Sequence, residues 1–243
     1  MERVHNPATQ SKIPDDLISR ISDLSRIGIA LSKEKNLDRL LEEILLESKK
    51  ITNSDGGTLY RRSTQNSNNL QFAIFRTDSL NIAMGGTIGT AIPFAPLQLR
   101  DENGRENTRM VAAYSVLKDR TVAISDAYEE QGFDFSGTKN FDKLTGYRSR
   151  SFLTVPMKNH DEEIIGVLQL INAKDRTTGE IIPFNKTDIS LVESLASQAA
   201  MALTNRQLVI QLENCSNLSS IYSIRRSTKN RRILPVTAPG CQF

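Results

Sequence analysis

Between Pro14 and Ile51 the apolar residues recur at helical spacing. Leu17, Ile21, Leu24 and Leu31 form one stripe, and Leu37, Leu40, Leu41, Ile44 and Leu45 form a second. Asn36 followed by Leu37 and Asp38 reads as a helix start, so the segment divides there into two helices. The first stripe steps by four, three and seven residues with Gly28 in its seam, a spacing compatible with pairing against an identical helix.

The pattern changes at Asn53-Ser54-Asp55-Gly56-Gly57, a cluster of turn formers. Thr58 to Arg61 and Leu70 to Arg76 follow as short strands, joined as a hairpin across Ser63 to Asn69. The segment from Thr77 to Arg109 is rich in Gly and Pro and reads as irregular, although it carries Ile92, Phe94 and Leu97. Val111 to Leu117 suggests a short helix and Thr121 to Ile124 a strand, before a second irregular stretch opens at Ser125. Ser151 to Lys158 and Ile164 to Ile171 are apolar strands with a polar hairpin turn over 159–163. A long helix from Phe184 to about Ile210 closes the pattern, capped by Asn185 or Thr187, with Ile189, Val192, Leu195, Ala196, Ala199 and Leu203 as its buried stripe.

This order implies an α/β (α+β) fold with a central, largely antiparallel sheet of about five to six strands. The N- and C-terminal helices cover one face. The long loops then cover the other and enclose a pocket against the sheet, without showing what fills it.

The run FDKLTGYRSRSFLTVPMKNHDEEIIGVLQLINAKD, followed by PFNKTDISLVESLASQAAMAL, closely resembles the GAF domain, a sensory fold of cyclic-nucleotide phosphodiesterases, adenylate cyclases and bacterial signalling proteins. The likeness runs from about Leu37 to Leu203. Upstream, RTDSLNIAMGG, PFAPLQL, VAAYSVL and SDAYEEQGFDFSGT resemble the GAF domains that precede HD-GYP-type phosphohydrolases or nucleotide cyclases. Cyclic-nucleotide-binding members carry an Asn-Lys, then Phe, then Asp-Glu signature. Here Asn172, Phe184 and Asp188 are in place, Ala173 stands at the Lys position with Lys174 one place later, and Ile189 replaces the Glu. The resemblance implies that Lys174 and Asp188 pair by charge and tie the last strand to the closing helix. It carries ligand contacts onto Asp142, Thr145, Ser149 and Gln169. Hydroxyl, carboxylate and amide groups of this kind can read a ribose or a base edge.

The same residues have a second reading. Gly146 can cap a helix ending at FDKLTGY, with Asp142 and Thr145 satisfying backbone groups. Arg148 and Arg150 can grip a phosphate or form surface ion pairs. Asp126, Tyr128, Phe133, Asp134 and Phe135 lie in a loop that folds over the pocket, where aromatic rings stack on a flat ligand or anchor the loop, and Tyr147 joins the ligand-binding candidates. Gly85, Gly86 and Gly89 have no Lys-Ser/Thr pair after them, so they read as tight turns and not as a phosphate loop.

Composition narrows the chemistry. His5 and His160 are the only histidines among 243 residues, which argues against a His-based triad or a metal cluster. Cys215 and Cys241 are the only cysteines, too few for a disulfide framework and outside the likeness, so neither covalent bilin attachment nor methionine sulfoxide reduction is expected. No apolar run reaches the roughly 18 residues of a membrane span, and the start lacks a signal peptide's apolar stretch, so a cytoplasmic protein is expected. Net charge is +3, yet Arg225, Arg226, Lys229, Arg231 and Arg232 gather in a tail without acids; solvated disorder is the expectation there and nucleic-acid binding is not.

The organisation expected is therefore a disordered 1–13, a signalling and dimerisation helix over 14–36, a GAF domain over 37–204, a helical extension over 205–224 and a basic disordered tail over 225–243. Roughly thirty residues after the long helix are too few for a catalytic domain, so no enzyme is expected in this chain. The function expected is a regulatory domain that binds a small molecule, with a cyclic nucleotide the candidate and no other cofactor. It signals through its terminal helices as a homodimer towards an output domain. The alternatives are a dimerisation scaffold without a ligand, or the regulatory fragment of a phosphodiesterase, HD-GYP phosphohydrolase or cyclase.

Overall fold

The computed structural model describes residues 15–63 and 66–230, with side chains described over 19–63 and 66–213. The expected disorder of 1–13, and of 231–243 in the tail, lies outside the described residues. Two units are distinguished, one ending at Leu203 and one beginning at Thr204.

In the first unit, helix α1 (Asp15–Lys33) leads to α2 (Leu37–Thr52), and the break falls where Asn36 caps α2 by accepting the backbone N–H of Arg39 at 3.0 Å. Helix α2 ends at Asn53, which takes the left-handed conformation (φ 51°). The strands are β1 (Ser54–Arg62), β2 (Asn69–Thr77), β3 (Ile82–Gly85), β4 (Leu97–Gln98), β5 (Val122–Ile124), β6 (Phe152–Lys158), β7 (Ile164–Lys174) and β8 (Ile181–Ile182). Helices α3 (Val111–Lys118) and α4 (Ser136–Thr145) flank β5, and α5 (Lys186–Asn230) is the last helix among the described residues. The sheet is antiparallel in the order β3-β2-β1-β7-β6-β5, with β4 paired to β2 and β8 to β7.

The alternation of β-strand side chains sorts the core into two layers. Leu59, Ile74, Leu153, Leu168 and Leu170 point to the face covered by α1, α2 and the start of α5, where they pack with Leu40, Ile44, Leu45, Val192 and Leu195. Tyr60, Phe72, Val167, Phe152 and Ile171 point the other way, towards α3 and the loops. Both faces are buried, so β6 and β7 read as nearly continuous apolar runs.

Three expectations need correction. The turn cluster at 53–57 is a helix end followed at once by strand. Gly57 is there because a Cβ would come within 2.7 Å of Leu45 Cδ1 and 3.0 Å of the Gln169 carbonyl, so only a bare backbone lets α2 settle on β1. The supposedly irregular 77–109 contains β3 and β4; its polar and glycine-rich composition hides strands that sit at the sheet's edge. Within α1, Leu24 and Leu31 are buried in the helix-side core and Gly28 lies against Gln198, while Ile21 stays half exposed. Finally, helix α5 continues to Asn230, past the expected end at 224.

Lys174 does not meet Asp188, and this corrects the charge pair drawn from the resemblance. Lys174 reaches Asp55 on β1, while Arg20 of α1 takes Asp188 and also donates to the Ile51 carbonyl at 3.1 Å. The displacement of the lysine by one residue turns it along the strand, and an arginine from the N-terminal helix fills the vacated role. Asp188 also completes the cap of α5: its backbone N–H donates to Asn185 Oδ1 at 2.9 Å. Arg20→Ala is expected to cost about 2 kcal/mol, because it strands a buried carboxylate. A urea titration monitored by circular dichroism checks this, and an unchanged midpoint would remove the pair from any role in holding α1.

In the second unit, the helix from Thr204 onward exposes Leu208, Val209 and Leu212. Leu208 and Leu212 are four residues apart and so share one stripe.

Candidate functional site

The sheet face opposite the terminal helices carries an unusual row. Thr58, Gln169 and Thr154 are register partners on β1, β7 and β6, and all three are buried, although the rows on either side are apolar. Gln169 Nε2 donates to Thr154 Oγ1 at 3.0 Å, and Tyr60 Oη donates to Gln169 Oε1 at 3.3 Å. Burial drives the Tyr60 phenol well above its ordinary pKa, so it stays a neutral donor. Polar groups in an apolar layer would cost free energy if unpaired, and here Tyr60, Gln169 and Thr154 are hydrogen-bonded in series.

Aromatic rings close one side of this row. Phe75 is the register partner of Thr58; its ring lies edge-on to Phe94 at 5.7 Å and to Phe141 of α4 at 6.0 Å. Phe94 also meets Phe72 at 5.3 Å, and Phe72 meets Tyr60 at 4.7 Å. Phe94 belongs to the loop between β3 and β4 and keeps 38% of its surface exposed, so it is a plug at the rim.

The remaining predicted residues form two further networks. At the end of α4, Asp142 is buried and accepts from Ser149 Oγ (2.8 Å), the Ser149 backbone N–H (2.8 Å) and Tyr128 Oη (2.9 Å). Thr145 Oγ1 donates back to the Phe141 carbonyl at 2.8 Å, and Gly146 (φ 70°) ends the helix. Arg148 and Arg150 both meet Asp126, at 4.0 and 3.1 Å, and Arg148 stacks over the Tyr128 ring at 4.0 Å. With Glu180 and Ile181 these three line an open cleft of about 610 Å³. Phe133 packs edge-on against Tyr114 at 5.2 Å and anchors its loop to the core.

The second network ties β1 to β7. Tyr147 Oη donates to Asp55 at 2.7 Å and accepts from Asn172 Nδ2 at 2.9 Å. Asp55 accepts from Ser79 Oγ at 2.5 Å as well as from Lys174. Burial works to raise the Asp55 carboxyl, but the bonds from Lys174, Ser79 and Tyr147 outweigh it and hold its pKa below the ordinary value. Burial, then the Asp55 charge, pushes the Tyr147 phenol far above its usual range.

The structure thus brings Asp142 and Ser149 together, and Tyr147 with Asn172 and Lys174, but Gln169 shares no hydrogen bond with Asp142, Thr145 or Ser149 among the described residues. Phe184 and Asp188 serve the helix-side layer. Sequence reasoning missed Thr58, Tyr60 and Thr154. A polar residue at the centre of an apolar strand, facing two others across the register, was the signal; it becomes visible only once the strands are paired. Among the described residues, no group of three or more His, Cys, Asp or Glu could hold a metal ion, and no helix is long and apolar enough to cross a membrane.

A sheet clasped by terminal helices on one side, with loops over a buried polar row on the other, defines a mixed α/β domain with two differently covered faces. The chain belongs to the GAF domain family, whose sequence profile matches residues 36–203. It is similar to the dual 3',5'-cyclic-AMP and -GMP phosphodiesterase 11A of Takifugu rubripes, 36% identical over 98 residues that make up 40% of this chain and 10% of that protein. The cGMP-specific 3',5'-cyclic phosphodiesterase of Drosophila virilis is 26% identical over 184 residues, covering 73% of this chain and 18% of that protein. The chain therefore spans less than a fifth of these relatives. Among solved structures, the GAF domain from a phosphoenolpyruvate-protein phosphotransferase of Coxiella burnetii superposes with a TM-score of 0.57 at 12% identity, covering 79% of this chain and 96% of that one. The free methionine-R-sulfoxide reductase of Neisseria meningitidis, solved with its substrate, gives 0.56 at 17% identity over 86% of this chain and 99% of that one. At these identities the likeness speaks for the fold alone.

Proposed function

We propose that this chain is a regulatory GAF domain that binds a small, flat ligand between the sheet and its loops and signals through its terminal helices in a cytoplasmic homodimer. The observation that carries this reading is the buried row Thr58-Gln169-Thr154 with Tyr60 beside it. An amide and three hydroxyls at the centre of an apolar face match the polar edge of a planar heterocycle, to which their hydrogen bonds can be turned. Phe94 is the plug that leaves when the ligand enters, and Phe72 and Phe75 are the rings that would then stack on it. Likeness to phosphodiesterases named for cyclic AMP and cyclic GMP makes a cyclic nucleotide the first candidate. Asp142, Thr145, Ser149, Asp126, Phe133 and Tyr147 act indirectly in this reading, by holding the loop that covers the row. The helix α1 before the sensory domain of 37–204 and the stretch of α5 after it, from 205 to 230, carry its signal to an output domain.

A thermal-shift screen of the full chain against cyclic AMP, cyclic GMP, cyclic dinucleotides and common metabolites tests it. A ligand at a hundredfold its Kd stabilises by about 2.7 kcal/mol, a rise of roughly 5–10 °C. Gln169→Leu is expected to abolish that rise while leaving a folded protein. A rise that survives Gln169→Leu would place the ligand elsewhere.

One observation favours a second reading, a dimerisation scaffold. Tyr60, Gln169 and Thr154 are already hydrogen-bonded in series and Phe94 already fills the rim, so the face is complete without a ligand. In that case no compound shifts the melt, and sedimentation shows a dimer that Leu208→Glu with Leu212→Glu dissociates.

A further inference from the structure

The loop that carries Phe94 touches both layers of the molecule. It leaves edge strand β3 through Gly85 and Gly86, which take positive φ values of 73° and 62°, and makes a single turn at Gly86–Ile88. In that turn Thr87 faces α2: its backbone N–H donates to Glu42 Oε2 at 3.2 Å, and its hydroxyl donates to the same oxygen. Seven residues later, Phe94 lies on the opposite face of the sheet against Phe72 and Phe75.

Neither attachment is loose. Glu42 Oε1 also accepts from Arg76 at 2.5 Å, and this ion pair is buried, with 6% of the Arg76 side chain and 14% of the Glu42 side chain exposed. Arg76 sits on β2 beside Phe75 and donates further to the carbonyls of Phe75 (2.9 Å) and Met84 (2.5 Å). The bonds from Thr87 and Arg76 outweigh burial and keep the Glu42 carboxylate ionised. The root of the loop is bonded to itself. Gly85 N–H donates to the Thr90 carbonyl at 2.8 Å, Gly89 N–H donates to the Gly86 carbonyl at 3.3 Å, and Pro93 fixes its own φ. A short, internally bonded segment with left-handed glycines at its root moves as one body about that root.

We propose that residues 86–96 form a strap that reports the state of the loop-covered face to α2: when the Phe94 ring leaves Phe72 and Phe75, Thr87 is drawn from Glu42. Glu42 and Arg76 are positioning residues that hold the α2 end, and Gly85 and Gly86 are the pivot. The coupling belongs to the strap alone. Only its trigger, a ligand displacing Phe94, rests on the functional reading above.

Hydrogen–deuterium exchange on the full chain, without ligand, tests the coupling. The variants are Phe94→Ala, Thr87→Ala and, as a control at an exposed apolar position on α4, Leu144→Ala. Phe94→Ala is expected to speed exchange at least fivefold in peptides covering 42–46 and 85–90, with 152–158 and 164–171 unchanged. Thr87→Ala is expected to speed exchange over 91–97, and Leu144→Ala to do neither. Effects confined to the substituted segment, or a uniform rise across the sheet, would overturn the strap. Failure of every nucleotide to bind would leave this result standing, since no ligand enters the experiment.

Discussion

Asn172→Ala is expected to lower the melting temperature by about 10 °C, among the largest effects of any single change in this chain. The Asn172 side chain is fully buried, and its Oδ1 accepts the backbone N–H groups of Arg150 (2.7 Å) and Ser151 (3.3 Å). Its Nδ2 donates to the Arg148 carbonyl at 2.8 Å and to Tyr147 Oη at 2.9 Å. One side chain therefore satisfies the backbone of the segment that carries α4 into β6. Removing it leaves buried groups without partners at about 1–3 kcal/mol each. Asn172 also stands at φ 57°, where Ala is strained by roughly 1 kcal/mol and Asn or Gly is not. Asn172→Gly separates the two effects: it loses the same bonds without the strain and should melt a few degrees above the Ala variant. Equal melting of the two would remove the strain from the account. A loss under 1 kcal/mol for both would mean that the 148–151 backbone finds other partners.

This residue also shows what kind of information the sequence held. Its place in an Asn-x-Lys run near Phe184 and Asp188 marked it out, but the resemblance assigned the charge pairing by position in a motif. A shift of one residue along a strand reverses the face a side chain points to. Lys174 thereby moved away from the closing helix to Asp55, and Arg20, far away in the chain, took up Asp188. Helices and central strands were legible because they bury continuous apolar faces. β3 and β4 were not, because edge strands have one neighbour and need little apolar content.

The candidate site was legible only in part for a related reason. Gln169 stands out in the run VLQLI as a polar residue flanked on both sides by buried apolar ones. Thr58 and Thr154 look ordinary in their own strands, since Thr is at home in any sheet. Only the pairing of β1 with β7 and of β7 with β6 sets the three side by side. Asp142 and Ser149 were found together because they belong to one local turn, which short-range reading can see. The strap required still longer-range knowledge, as its two anchors come from α2 and β2.

Acid should weaken the fold through Asp55, and the sign of the effect follows from its surroundings. Its carboxyl is buried and holds Lys174, Ser79 and Tyr147, so its folded pKa lies below the unfolded value of about 3.9. A depressed carboxylate contributes stability that is fully present above the unfolded pKa and lost as pH falls through the folded one. Glu42 is depressed by the same logic, so the wild-type melting temperature should hold between pH 7 and 5 and decline steeply below about pH 4. Asp55→Ala removes the shared acceptor and is expected to cost about 3 kcal/mol at pH 7, or roughly 6–12 °C, because it leaves Tyr147 Oη and the Lys174 ammonium without their partner. Asp55→Asn is the sharper probe, as it keeps the shape and one acceptor oxygen while it loses the titrating charge and the second acceptor. Melts recorded from pH 7 to pH 2.5 should show the gap between wild type and Asp55→Asn narrowing as the medium is acidified, with Glu42 accounting for the decline that remains. A gap that stays constant over that range would mean that Asp55 does not titrate with a depressed pKa, and that Lys174 and Tyr147 hold β1 to β7 by geometry and not by charge.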